Sequence, residues 1–312
     1  MEAESENYAN QADEETRSHA SAHNGANYAT IDSSLLDTAD NDNRSQVSHL
    51  REYFRNYLLV IELVACAALG FTGHFLPEYL FRMKIHDREI PYQITGNGDI
   101  IYNQYINNAL VGQQTIPDWL LVVLTMMLPL IIVIIVGLKS RIKYDLHSVV
   151  CALFFTVGLT QFITDFVKIY CGYFRPNFYE YCQFSNDDMA CDSDRNNPRK
   201  SFPSGHASSS FSSMTFLALY FAGKIGLHCS CNENMKMILQ KRFFTILAFT
   251  PMFLAVFIAS SRVHDDMHHP ADVVGGSLIG IICAILGYSL WYNSIYSARA
   301  GYPLLSTSSE NL

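Results

Sequence analysis

The chain has 312 residues and a formal net charge of −8, which taken alone describes an acidic soluble protein. Position changes that picture: the first fifty residues hold ten of the 29 acids and two of the 21 bases, so the rest of the chain is neutral. This balance excludes a basic nucleic-acid-binding protein, and eight cysteines in such a length are too sparse for a disulfide-framework miniprotein.

Residues 1–50 are rich in Asn, Ser, Ala and acid and poor in large apolar side chains, so they are expected to form a disordered cytosolic tail. A membrane-crossing helix needs roughly 20 mostly apolar residues, because the hydrocarbon core is about 30 Å thick. The first such stretch, 58–76, holds one acid, Glu62. Uncharged stretches follow at 120–138, 146–164 (with His147), 207–223, 243–261 and 273–298. Soluble helices carry a polar stripe, and these show none. The fourth is the least apolar, and its Ser208, Ser209, Ser210, Ser212 and Ser213 suit a span packed against other helices.

The expected fold is therefore an all-α integral membrane bundle of six transmembrane helices. Arg51 and Arg55 precede the first span, which puts the N-terminus in the cytosol by the positive-inside rule. The basic connections near 139–143 and 236–242 fall on the same side, and an even number of spans returns the C-terminus there. The chain divides into a tail (1–50), a transmembrane body (51–298) and a short cytosolic C-terminal tail (299–312). The long outer connection, 77–118, carries no readable role.

Charged and histidine residues gather at three span ends. The third span runs into Lys168 and Arg175-Pro176; the fourth is entered through Pro203-Ser204-Gly205-His206; the fifth ends at Ser261-Arg262, followed by His264, Asp265, Asp266, His268, His269 and Asp272. Alternating topology brings all three to one membrane face. Lys168, Arg175 and Arg262 would repel one another unless an anion offset them, and arginine forks match phosphate oxygens. The Ser204-Gly205 turn opens a helix, whose free N–H groups also suit an oxyanion.

The histidines supply chemistry. His268 and Asp272 are four residues apart and would share a face of a helix. A carboxylate bonded to one ring nitrogen fixes the tautomer and leaves the other nitrogen free to attack phosphorus. His206 could protonate the departing alkoxide and later deprotonate water. His264 and His269 read as loop residues.

The three strings, Lys-x6-Arg-Pro, Pro-Ser-Gly-His and Ser-Arg-x5-His-x3-Asp, resemble the signature of the type-2 phosphatidic acid phosphatase superfamily, in its lipid phosphate phosphatase (phospholipid phosphatase) branch. The resemblance extends over about residues 50–295. It implies that His268 is the nucleophile that forms a phosphohistidine, that Asp272 orients it, and that His206 is general acid and then base. It further implies that Lys168, Arg175, Arg262, Ser204 and the Gly205 backbone hold the phosphate, with no metal and no cofactor. Vanadate-dependent haloperoxidases share the motifs but lack the spans.

The implied substrate is a lipid phosphate monoester resident in the bilayer, such as phosphatidate, lysophosphatidate or diacylglycerol pyrophosphate. No nucleic-acid partner is expected, and a homo-oligomer is compatible with the reading. The site would face the extracellular or lumenal side of the plasma membrane or an endomembrane. Two rivals stand beside this. One is a metal-dependent hydrolase using the His and Asp residues of 264–272, disfavoured by the adjacent cations; the other is a binder or transporter of phospholipids or anions that does no chemistry. Cys182 and Cys191, in the outer loop, could be bridged or free. Cys229 and Cys231, on the inner side, suit palmitoylation.

Overall fold

The structure, a computed structural model, describes residues 33–79, 82, 84–191, 197–226 and 234–308. Residues 1–32 of the acidic tail, and Cys229 with Cys231, lie outside the described residues. The chain divides into two units, 1–58 and 59–312.

Helix α1 (Ser33–Thr72) begins well inside the stretch that composition reads as disordered. A helix is costly to nucleate and cheap to extend, so a long apolar span can carry polar residues in helical form at its end. A short helix α2 (Leu76–Tyr79) follows, then a hairpin of β1 (Tyr92–Ile94) and β2 (Ile100–Tyr102), paired antiparallel with Gln93 opposite Ile101. The hairpin turns at Gly98, whose φ of 86° a side chain would resist.

Helix α3 spans Asp118–Lys139 and opens into a π turn over Val123–Met127. Pro129 lies just beyond, in the first turn of the α-helical stretch Leu128–Lys139, where a missing N–H is tolerated. Helix α4 (Asp145–Cys171) stops at Gly172, which is left-handed and approached so closely by the His86 carbonyl that a side chain there would collide. After α5 (Phe178–Cys182) come α6 (Gly205–Ile225), α7 (Met235–Ala248), α8 (Pro251–His264), α9 (Pro270–Trp291) and α10 (Leu304–Ser308). Pro251 starts α8 and separates it from α7, so the predicted fifth span is two helical pieces with a break at Phe249–Thr250.

Among the described residues, five helical stretches are long and apolar enough to cross a membrane: 50–72, 118–139, 145–171, 235–264 and 270–291. The protein is thus an all-α integral membrane bundle, but α6 is not one of the five, and composition alone supports five spans rather than six. The reason is the serine run. Ser210 and Ser213 return their hydroxyls to the carbonyls of Ala207 and Ser209, so the helix meets that polarity from its own backbone. Helix α6 sits at the centre, packed against α9, α8, α4 and α7. Gly276 and Gly280 let α9 press directly on the α6 backbone at Ser204 and Ser208.

The core of the bundle joins Val149, Leu153, Met214, Leu217, Tyr220, Ala284 and Tyr288. At the end of α4 far from Lys168, the buried Asp145 carboxylate accepts from Lys224 Nζ (2.6 Å), Tyr292 (2.9 Å) and Tyr220 (3.2 Å), tying α4, α6 and α9 together. Three donors are what a buried carboxylate needs to offset its lost hydration. A smaller cluster of Ile106, Phe174, Phe178, Tyr179 and Cys182 underlies the connecting loops, where Cys182 and Cys191 form a disulfide.

Candidate active site

Four helix ends position the predicted residues. Lys168 is in the last turn of α4, Ser204 caps α6 with Gly205 and His206 in its first turn, Arg262 is near the end of α8, and Asp272 is in the first turn of α9. Arg175 lies between α4 and α5 and His268 in the turn between α8 and α9. Arg175, His206, Arg262, His268 and Asp272 are all buried.

The elements that carry the predicted residues are drawn together by direct contacts. Ser204 N–H donates to the Asp272 carbonyl (2.9 Å), joining the start of α6 to that of α9. The Ser204 hydroxyl accepts from Ala207 N–H (3.4 Å), a helix N-cap. Lys168 Nζ stands over Gly205, close enough that a Cβ there would come within 2.8 Å of it. Arg175 donates through Nη1 to the Met267 carbonyl (3.2 Å), next to His268. Arg262 Nη1 lies 3.3 Å from His206 Nε2.

His268 and Asp272 meet, though not by sharing a helix face as the spacing predicts. His268 precedes α9. Asp272 curls its carboxylate back over the helix start, where Oδ2 accepts from His269 N–H (2.9 Å) and comes within 3.6 Å of His268 Nδ1. Neither His268 Nδ1 nor Asp272 Oδ1, both fully covered, has a hydrogen-bond partner among the described residues. Burial pushes the His268 imidazole well below the ordinary histidine value; Asp272 opposes this, and Arg175 and Lys168 reinforce it. Its resting form is the neutral ring that a nucleophile requires. Arg175 is likewise lowered, by its burial first, while Asp118 and Asp272 act against that and Arg262 with it.

Several contributors have no counterpart in the sequence reading. Ser201 donates to Asp272 Oδ2 at 2.6 Å. Asp165 accepts from Lys168 Nζ (3.3 Å) and pairs with His74 Nδ1 (2.5 Å), so the lysine is steered from within its own helix. The end of the 77–118 connection reaches the same residues: Gln114 accepts from Arg262 Nη1 (2.9 Å), and Thr115 donates through N–H and hydroxyl to Asp265 (2.8 and 2.7 Å). His206 Nε2 is 3.1 Å from the Ile116 carbonyl and 3.7 Å from Asp118. Only a protonated Nε2 can donate to that carbonyl, and in this tautomer Arg262 is a neighbour rather than a donor. Serine and threonine are common in loops, and no motif separates these from the rest.

The residues of 264–272 outside this set do not converge. His264 is exposed, Asp265 pairs with Arg262 Nη2 (2.7 Å), Asp266 accepts from Asn108 (2.7 Å), and His269 faces the Phe174 carbonyl (3.3 Å).

Long apolar helices with three cations and two histidines gathered at their ends define an integral membrane protein. Residues 149–296, which include all eight predicted site residues, match the PAP2 superfamily. The chain is 35% identical over 200 residues to lipid phosphate phosphatase 1 of Arabidopsis thaliana, covering 61% of this chain and 59% of that protein. It is 33% identical over 202 residues to probable lipid phosphate phosphatase 4 of the same plant, covering 61% and 63%. It is 26% identical over 232 residues to diacylglycerol pyrophosphate phosphatase 1 of Saccharomyces cerevisiae, covering 67% and 77%. The segment 149–296 thus resembles the PAP2 superfamily, and the relatives it is similar to bear the names of lipid phosphate and diacylglycerol pyrophosphate phosphatases. The alignments span about three fifths of the length of the two plant proteins. No solved structure matches the chain.

Proposed function

We propose that the protein is a lipid phosphate phosphohydrolase that cleaves phosphate monoesters of bilayer lipids through a phosphohistidine on His268. One observation carries this reading: a buried His268 with Asp272 3.6 Å from its Nδ1, beside the cations Lys168 and Arg175. In the Nδ1–H tautomer that Asp272 selects, Nε2 holds the lone pair and attacks phosphorus. The P–O bond to the lipid breaks, and His206, whose pKa burial first and Arg262 next hold down to about 3, takes up the proton that the phosphate monoanion brings and gives it to the leaving alkoxide. The neutral His206 then takes a proton from water as that water attacks the phosphohistidine, freeing inorganic phosphate and restoring His268. Lys168, Arg175, Arg262, Ser204 and the Gly205 N–H hold the phosphoryl oxygens and match the charge that develops on them. The site sits where helices end, which lets a head group enter while acyl chains stay in the bilayer.

In this reading α6 supplies a sixth crossing, shielded from lipid by its neighbours, and the termini are cytosolic with the site on the extracellular or lumenal side. Residues 1–50 lie outside the catalytic body, 51–298 form it, and 299–312 are a short tail. Phosphatidate and diacylglycerol pyrophosphate are the substrates to compare first, since relatives bear those names. The test is phosphate release from phosphatidate, lysophosphatidate and diacylglycerol pyrophosphate in detergent micelles with no added divalent cation. Release by the native chain and none by His268→Ala is expected. Release at the native rate by His268→Ala would contradict the nucleophile, and binding without release would favour a non-catalytic binder.

A further inference from the structure

At the other end of α4, far from the catalytic residues, two (i, i+4) pairs face each other: Glu62 and Cys66 on α1, His147 and Cys151 on α4. Ligand atoms of Glu62, His147 and Cys151 all lie within 4.8 Å of one another. His147 Nε2 is 3.0 Å from Glu62 Oε2 and 3.6 Å from Cys151 Sγ. Cys66 follows Glu62 by one helical turn on α1, and both Cys66 and Cys151 are buried and unbridged. The other Glu62 oxygen accepts from Trp291 Nε1 at 2.7 Å.

We propose that this cluster is a structural site for a zinc-like divalent cation, with Glu62, His147 and Cys151 as ligands and Cys66 as the fourth donor. The spacing fits. Tetrahedral bonds of about 2.0–2.1 Å to nitrogen and 2.3 Å to sulfur place those two atoms about 3.6 Å apart, and nitrogen and carboxylate oxygen about 3.3–3.5 Å, a few tenths of an ångström beyond their present separation. Mixed imidazole, carboxylate and thiolate donors suit zinc and other borderline cations and disfavour calcium or magnesium. The Trp291 N–H fixes the carboxylate from outside, the usual arrangement around a bound metal. Ionisable residues within a span are costly unless they perform a task, and Glu62 is the only acid of the apolar stretch 58–76.

The site is not catalytic. His147 and Lys168 are 21 residues apart on one helix, a separation of about 30 Å at 1.5 Å per residue. A cation there would clamp α1 to α4 where Gly70, Gly73 and Gly158 already let the two backbones touch. Binding releases the thiol proton, since the thiolate is the ligand. The proposal is independent of the reaction at His268.

The test uses the full chain, purified in detergent and stripped by chelator, with Cys229→Ser and Cys231→Ser to remove the other inner-side thiols. Titration with Co²⁺ should give one equivalent per chain with tetrahedral visible bands and a thiolate-to-metal charge-transfer band, and Zn²⁺ should displace it and raise the Tm. His147→Ala and Cys151→Ser should each lose that band, and Trp291→Phe should weaken binding about ten-fold. Glu62→Gln, nearly the same shape, serves if the others do not elute as folded protein. A native chain with no charge-transfer band, or an equal band in all ligand variants, would overturn the site. Phosphate release, assayed in parallel, reports separately on the catalytic proposal.

Discussion

Lys168 Nζ stands directly over Gly205, at the place where a side chain on residue 205 would begin. The absence of a Cβ there has an energetic and a functional side, and they differ. The neighbour is the tip of a flexible side chain, which can retreat at little cost. The phosphate, however, would lose its lysine. Gly205→Ala should therefore keep a Tm near native while kcat/KM falls about 100-fold, the effect of moving a reacting group by roughly 1 Å. Paired thermal unfolding and phosphate-release measurements check this. A variant that is destabilised and fully active per folded molecule would refute it.

Asp272 offers a graded comparison. Its Oδ2 takes Ser201 Oγ and His269 N–H while facing His268 Nδ1. Asp272→Asn keeps the shape but presents N–H or a weak acceptor to the ring, so the tautomer is no longer held. Activity should fall about 10⁴-fold by analogy with the serine-protease aspartate. Ser201→Ala removes one charge-assisted hydrogen bond, worth about 1.5–3 kcal/mol, and leaves the carboxylate in place. A loss of about ten-fold or slightly more is expected, with KM little changed. Equal losses in the two variants would mean that Ser201 does more than orient Asp272.

The proximity of the eight predicted residues was legible because chemistry and the expected alternating topology both marked them: cations, histidines and one carboxylate at neighbouring helix ends. What supports them was not. Ser201 reaches Asp272 across 71 positions and Thr115 reaches Asp265 across 150, and neither contact leaves a periodic trace. The His268–Asp272 contact was anticipated for a geometric reason that does not hold, since the helix starts between them. The apolar spans were readable by length alone. Helix α6 was ambiguous because hydropathy counts serine hydroxyls as polar even when the preceding turn satisfies them. The start of α1 was missed because propagation from a stable span outweighs local composition.

Arg262 is held by Asp265 on one side and by Gln114 on the other, and Asp265 also holds Thr115. Both charges of the Arg262–Asp265 pair are almost fully buried, so deleting one leaves the other uncompensated. Asp265→Ala should cost about 3–5 kcal/mol and release the Gln114–Thr115 segment from the site. Inorganic phosphate or vanadate should restore part of the loss, raising the Tm of the variant more than that of the native chain, because the anion then offsets Arg262. Thermal unfolding with and without the anion distinguishes this from a purely structural carboxylate, for which the two increments would be equal.

The buried neutral His268 also makes stability depend on pH, with a definite sign. Its folded pKa lies below the unfolded value of about 6.5, because burial disfavours the imidazolium and Arg175 and Lys168 add repulsion that Asp272 only partly offsets. Between those two values the unfolded chain binds more protons than the folded one, so stability rises with pH there and falls on acidification. The contribution is complete above about pH 6.5 and is lost at no more than about 1.4 kcal/mol per pH unit below it. Unfolding from pH 7.5 down to 5 should show this acid slope in the native protein and a shallower one in His268→Asn, which cannot take the proton. Parallel slopes in the two proteins would show that His268 is already protonated in the fold, and with that the neutral nucleophile would be lost as well.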